Sequence, residues 1–129
     1  MPNLPQEAAE RKAVPITTGV FDYFPDALAE VARVSKAGND QHNPGQPLHW
    51  ARGKSTDHAD CIGRHLLERG TVDTDGQLHS AKLAWRALAN LQEELETRQS
   101  ERLCVMGHDD DVVCTQCAPR VRGGRSDGG

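Results

Sequence analysis

From Leu78 to Arg98 the apolar residues return every three or four positions, as Ala81, Ala84, Trp85, Leu88, Leu91 and Leu95. That period admits an amphipathic helix and excludes a strand, which would need alternation. Glu93, Glu94 and Glu96 fall between the apolar positions and are expected to face water. Such a helix must bury its stripe against something, and two shorter segments are suited to supply the partners. The first opens at Pro25, a residue favoured at the first helical position, with Asp26 placed for the positive end of the helix dipole. Leu28, Val31, Ala32 and Ser35 make its stripe, and Gly38 is the expected stop. The second opens at Ser55 or Thr56, either able to cap, followed by Asp57. Ala59, Ile62, Leu66 and Leu67 form its stripe, and Gly70 ends it. No stretch alternates between turn signals as a strand would, so the expected fold class is all-α.

Aromatic residues make up 4% of the chain and apolar residues 36%, which leaves a thin core for a single copy. A bundle this polar is expected to complete its core against itself, as a homodimer or homotetramer. The net charge of -4 argues against a binder of nucleic-acid polymers, whose footprint is usually basic. No apolar run approaches the roughly 20 residues that span a bilayer, and the start MPNLPQEAAERK lacks a signal peptide's apolar centre. The expectation is a soluble, cytoplasmic protein with no membrane partner. Residues 1–20 show no sustained period and read as an N-terminal arm, residues 21–99 as the helical domain, and the glycine-rich residues 119–129 as a disordered tail.

Between the first two helices lies NDQHNPGQPLHWARGK, residues 39–54, longer than the usual helix–helix link. Trp50, His49, Arg52 and Lys54 cluster at its end. Trp50 can stack on a base while the cations meet phosphates, or it can pin the loop to the core, the more frequent use of a large aromatic.

Asp57 and Asp60 are three residues apart and share one helix face. Carboxylates so placed repel unless a cation lies between them, and Mg²⁺ or Mn²⁺ would serve because hard cations prefer oxygen. The same pair serves equally as a solvated, dipole-favoured helix start. Arg64 continues that face and can meet a phosphate. Glu30 on the first helix would converge on the pair if the helices pack antiparallel. His65 and His79 read either as partly buried, hydrogen-bonded imidazoles or as substrate contacts. In TVDTDGQ, Asp73 and Asp75 resemble a fragment of a calcium loop, but the remaining ligands are missing and a turn is expected.

The stretches ALAEVARVSKAG (residues 27–38), NPGQPLHWARGKSTDHADCIGRHLLERG (43–70) and DTDGQLHSAKLAWRALANLQ (73–92) resemble the phage-associated dATP/dGTP diphosphohydrolase N-terminal family, which is related to the MazG enzymes. The resemblance implies an all-α, MazG-like helical bundle completed by oligomerisation. It further implies metal-dependent cleavage of dGTP or dATP to the monophosphate and pyrophosphate, with Mg²⁺ or Mn²⁺ as cofactor. In a phage, the dGMP product would feed 2-aminoadenine nucleotide synthesis. The implied metal-binding and catalytic residues are Glu30, Asp57 and Asp60. The broader MazG pattern has EExxE on one helix and ExxD on the next; Asp57-x-x-Asp60 matches the second half. The first half is reduced to Glu30, flanked by Ala29 and with Arg33 three residues on, leaving Asp40 or a histidine to supplement the ligands. Lys36, Trp50, Arg52, Lys54, Arg64, His65 and His79 are the candidates for binding substrate. Phe24 and the stretch from Ile16 to Val20 are further candidates for a purine pocket.

Outside that resemblance, residues 100–118 contain Cys104-x3-His108 and Cys114-x2-Cys117, four ligands of the kind a structural tetrahedral Zn²⁺ takes. Unligated thiols in a tail are the alternative. A zinc-knuckle adaptor that binds a protein partner without turnover is the competing function.

Overall fold

The structure, a computed structural model, describes residues 2–107, the last six of them for backbone only. The described residues are helical: α1 (Ala8–Lys12), a π-helical turn (Thr17–Phe21), α2 (Pro25–His42), α3 (His58–Leu67) and α4 (His79–Gly107). They contain no strand, only an isolated antiparallel bridge between Val72 and Leu78. The all-α expectation holds. None of these helices is long and apolar enough to cross a membrane.

The long α4 is the frame, with α2 and α3 both packed on it. Pro25 begins α2 as expected, but the helix runs through Gly38 to His42. A glycine inside a helix costs about 1 kcal/mol, too little to end one whose next turn has a buried anchor. That anchor is Asn39, whose amide donates to the Gln46 carbonyl (3.0 Å) and whose oxygen accepts from the His49 backbone N–H (3.2 Å). One side chain thus satisfies two peptide groups and folds residues 43–49 back against the helix. The α3 helix starts at His58, with Asp57 rather than Ser55 or Thr56 at its N-cap, and no side chain caps it.

The inward faces differ from the expected stripes. On α3 the buried or half-buried residues are His58, Cys61, Ile62 and His65, whereas Ala59, Leu66 and Leu67 are exposed. The inward face is therefore displaced toward two histidines and a cysteine, each bonded to a neighbour. On α4, Ala81 and Ala89 are buried and Trp85 half-buried, but Leu88, Leu91 and Leu95 are each about half exposed. Small residues thus hold the buried positions of α4, and the leucines leave about half of their surface uncovered. Glu93, expected in water, is half-buried and hydrogen-bonded. Among the described residues no large side chain is fully buried, and the buried apolar positions are Cys61, Ala81 and Ala89.

Between α3 and α4 a tight turn follows Gly70, closed by Asp73 N–H to Gln77 C=O (2.8 Å) and His79 N–H to Thr71 C=O (3.1 Å). Gly76 takes the left-handed conformation (φ 83°) that this turn requires. The expected turn reading of TVDTDGQ is thus observed. Lys82 Nζ lies 2.7 Å from Asp73 and 2.8 Å from Asp75, supplying the positive charge between the carboxylates.

Candidate functional site

The loop that leads into α3 is held on α4 by three successive contacts. Trp50 meets Trp85 edge to face at 5.7 Å, and the Trp85 indole N–H donates to Ser35 on α2. The Arg52 guanidinium lies 4.2 Å above the Trp50 ring, a cation–π arrangement, and its Nε–H is shared by both carboxylate oxygens of Glu96 at 3.0 Å. The Gly53 backbone N–H donates to Glu93 Oε2 (3.2 Å). Gly53 itself turns through φ 80°, which allows the loop to present that N–H. Trp50 thus pins the loop to the helices, while Arg52 uses the exposed side of the ring.

Glu93 continues inward. Its other oxygen, Oε1, lies 3.2 Å from Nε2 of the buried His58, and Arg86 reaches His58 Nδ1 at 3.2 Å. A guanidinium can only donate, so Nδ1 accepts and the ring proton sits on Nε2, donated to Glu93. Arg86 also stands 3.7 Å from the Asp57 carboxylate. Asp57 accepts from the Cys61 thiol at 3.5 Å, and Arg64 donates to the same sulfur at 3.1 Å. The Cys61 hydrogen bond, followed by the backbone N–H of Asp57 and then the nearby Arg86 and Arg64 charges, holds the Asp57 carboxyl below its ordinary range against the opposing effect of desolvation. On Glu96 the Gln92 and Arg52 hydrogen bonds act in the same direction.

Of the residues singled out in the sequence, the fold therefore links Trp50, Arg52, Asp57 and Arg64 through α4. Asp60 and Lys54 are exposed beside them, on the first turn of α3 and at the loop's end. His65 and His79 form a separate pair, Nδ1 to Nδ1 at 3.0 Å, with Glu68 3.7 Å from His79 Nε2. Glu30 is elsewhere, on α2, bonded to Arg33 at 2.8 Å, and Lys36 is similarly bonded to Asp40. The convergence of Glu30 on Asp57 and Asp60 is not seen within one copy: among the described residues no group of three or more His, Cys, Asp or Glu is placed to hold a metal ion. Phe24 and the Ile16–Val20 stretch lie on the exposed N-terminal surface. The side chain of Cys104, with His108, Cys114 and Cys117, lies outside the described residues.

The model of the family described as dATP/dGTP diphosphohydrolase, N-terminal, matches residues 5–102. The chain belongs to that family. No curated protein and no solved structure matches it. The diphosphohydrolase-family match takes in α1, the π-helical turn, α2, α3, both connections and most of α4, so every residue of the docked loop and its α4 frame lies inside it. Within this diphosphohydrolase-family domain, sequence reasoning missed His58, Arg86, Glu93 and Asn39. For His58 the signal was present: it falls one turn before Ile62 and two before His65 on the face that proves buried. Arg86 and Glu93 carried none, because charged residues on a long helix ordinarily face water.

Proposed function

We propose that this domain hydrolyses dGTP and/or dATP to the deoxynucleoside monophosphate and pyrophosphate with the help of Mg²⁺ or Mn²⁺. Membership of the diphosphohydrolase family over residues 5–102 carries this reading. The geometry adds a cationic loop docked beside an acidic helix start, the pairing that a metal–triphosphate complex needs.

Asp57 and Asp60 are the proposed ligands of the divalent ion. They suit it in kind, because Mg²⁺ is commonly held by one or two carboxylates, with waters and substrate phosphates completing the shell. The fit is partial, since Glu30, the third proposed carboxylate, lies on α2 and is bonded there to Arg33. When bound, such an ion neutralises the triphosphate and acidifies a water. The chain's own contribution is to bind and orient. Arg52 and Lys54 at the loop's end and Arg64 on α3 can neutralise phosphate oxygens as charge builds on them. Lys36, His65 and His79 stand away from that group as secondary candidates. Arg52 is already desolvated on one side by Trp50, so a phosphate that draws it from Glu96 opens a ring face to a purine.

A second copy is proposed to cover Leu88, Leu91 and Leu95, since they form a half-exposed apolar row on a helix whose described residues bury few apolar side chains. In a phage, the dGMP product would supply synthesis of 2-aminoadenine nucleotides. The C-terminal Cys/His set remains proposed as a structural Zn²⁺ site, separate from this chemistry.

The test is pyrophosphate release from each deoxynucleoside triphosphate with Mg²⁺ or Mn²⁺. Turnover on dGTP or dATP that EDTA abolishes and Asp60→Asn removes, with helicity unchanged, is the expected result. No release from any of the four, or near-normal turnover by Asp60→Asn, would overturn the reading.

A further inference from the structure

The geometry points to His58 as a positioning residue that holds the cationic loop and the acidic start of α3 in one fixed relation. This rests on the pyrophosphohydrolase reading for its kinetic consequence, but not for its structural one. His58 is buried, yet it adjoins Asp57 in sequence and opens the helical turn that carries Asp60. Each of its ring nitrogens has one partner, and both partners come from α4: Arg86 at Nδ1 and Glu93 at Nε2. Each partner then reaches a different part of the site. Arg86 extends to Asp57, and Glu93 extends to the backbone of Gly53, between Arg52 and Lys54.

Because Arg86 can only donate, it fixes the proton on Nε2, and that proton in turn aims Glu93 Oε1 at the ring. Glu93 is then left with Oε2 for Gly53. A neutral imidazole is one of few side chains that can accept on one side and donate on the other within a buried site. The two arms of the network are therefore separable by chemistry. Glutamine in place of His58 retains a donor at the ε position, toward Glu93; asparagine retains an acceptor at the δ position, toward Arg86.

The experiment uses the full ¹⁵N-labelled chain and steady-state kinetics on dGTP. In the wild type at mildly alkaline pH, the ring ¹⁵N signals of His58 should report the Nε2–H tautomer. His58→Gln should leave the Gly53 amide resonance in place and KM near the wild-type value, while kcat falls about tenfold, as losing one buried hydrogen bond implies. His58→Asn should displace the Gly53 resonance and raise KM about tenfold while sparing kcat. Should either variant fail to fold, Arg86→Met tests the Asp57 arm and Glu93→Ala the loop arm by the same readouts. An Nδ1–H tautomer, or two variants that change KM and kcat by the same factors, would refute the coupling. A wild type with no turnover but the expected tautomer and Gly53 pattern would overturn the enzymatic reading and uphold the coupling.

Discussion

His65 and His79 face each other Nδ1 to Nδ1 at 3.0 Å, so one ring must donate where the other accepts. Glu68, 3.7 Å from His79 Nε2, favours the proton there, which makes His65 the donor. Burial, and next the neighbouring His79 and Lys82 charges, push the His65 pKa below 6.5, outweighing the raising effect of Asp73. A base whose pKa falls on folding binds more protons when unfolded, so stability is present above 6.5 and is lost as pH falls through the lower folded value. The melting temperature should therefore decline on acidification below that point. His65→Gln should flatten that decline while lowering stability at alkaline pH by about 1 kcal/mol. An acid limb of unchanged steepness in the variant would refute the assignment.

Lys82 occupies the place between Asp73 and Asp75 that a cation would take in a metal loop. Burial alone would push its ammonium pKa down, but the hydrogen bonds to Asp73 and Asp75 raise it. The same Lys82 bond is the first cause of an Asp73 pKa near 2, the second being the Thr74 backbone N–H. A lowered carboxyl stabilises above the ordinary value of 3.8 and loses that contribution as pH falls toward 2. Lys82→Met should loosen the turn and lower the melting temperature. Millimolar Ca²⁺ should restore part of it in the variant and leave the wild type unaffected, as differential scanning fluorimetry can show.

Asn39 acts as a substitute peptide group for the loop after α2. Asn39→Ala should leave the Gln46 carbonyl and His49 N–H unpaired in a partly buried place, costing about 1–3 kcal/mol. Amide exchange at His49 should quicken by more than that at residues on α4. Equal acceleration everywhere would mean that the side chain stabilises the fold generally and does not anchor the loop.

If a second copy covers the leucine row, a charge at its centre must split the assembly. Leu91→Lys should reduce the mass in solution to that of one chain, measured by light scattering, and lower activity with it. A wild type that is already monomeric at micromolar concentration would remove the proposal.

The sequence by itself determined the three principal helices, because Leu78–Arg98 has only one sensible period and Pro25 only one comfortable position in a helix, whereas α1 and the π-helical turn fall in the stretch read as an arm. It also determined the family, through residues that run in order along the chain. What it could not determine was the helix faces. Ala59, Leu66 and Leu67 look like an inward stripe by hydropathy, yet His58, Cys61 and His65 take that place. Hydropathy measures the cost of burying a lone side chain, and that cost is largely offset when every polar atom finds a partner. Those partners, Glu93 and Arg86 for His58 and His79 for His65, lie 35, 28 and 14 residues away, so only the tertiary structure could reveal them. The same holds for the candidate site. Trp50, Arg52, Asp57 and Arg64 were legible as types of residue, but the contacts that tie the loop and the start of α3 to Glu93, Glu96 and Arg86 of α4 span 28 to 44 residues and are visible only in the packed fold.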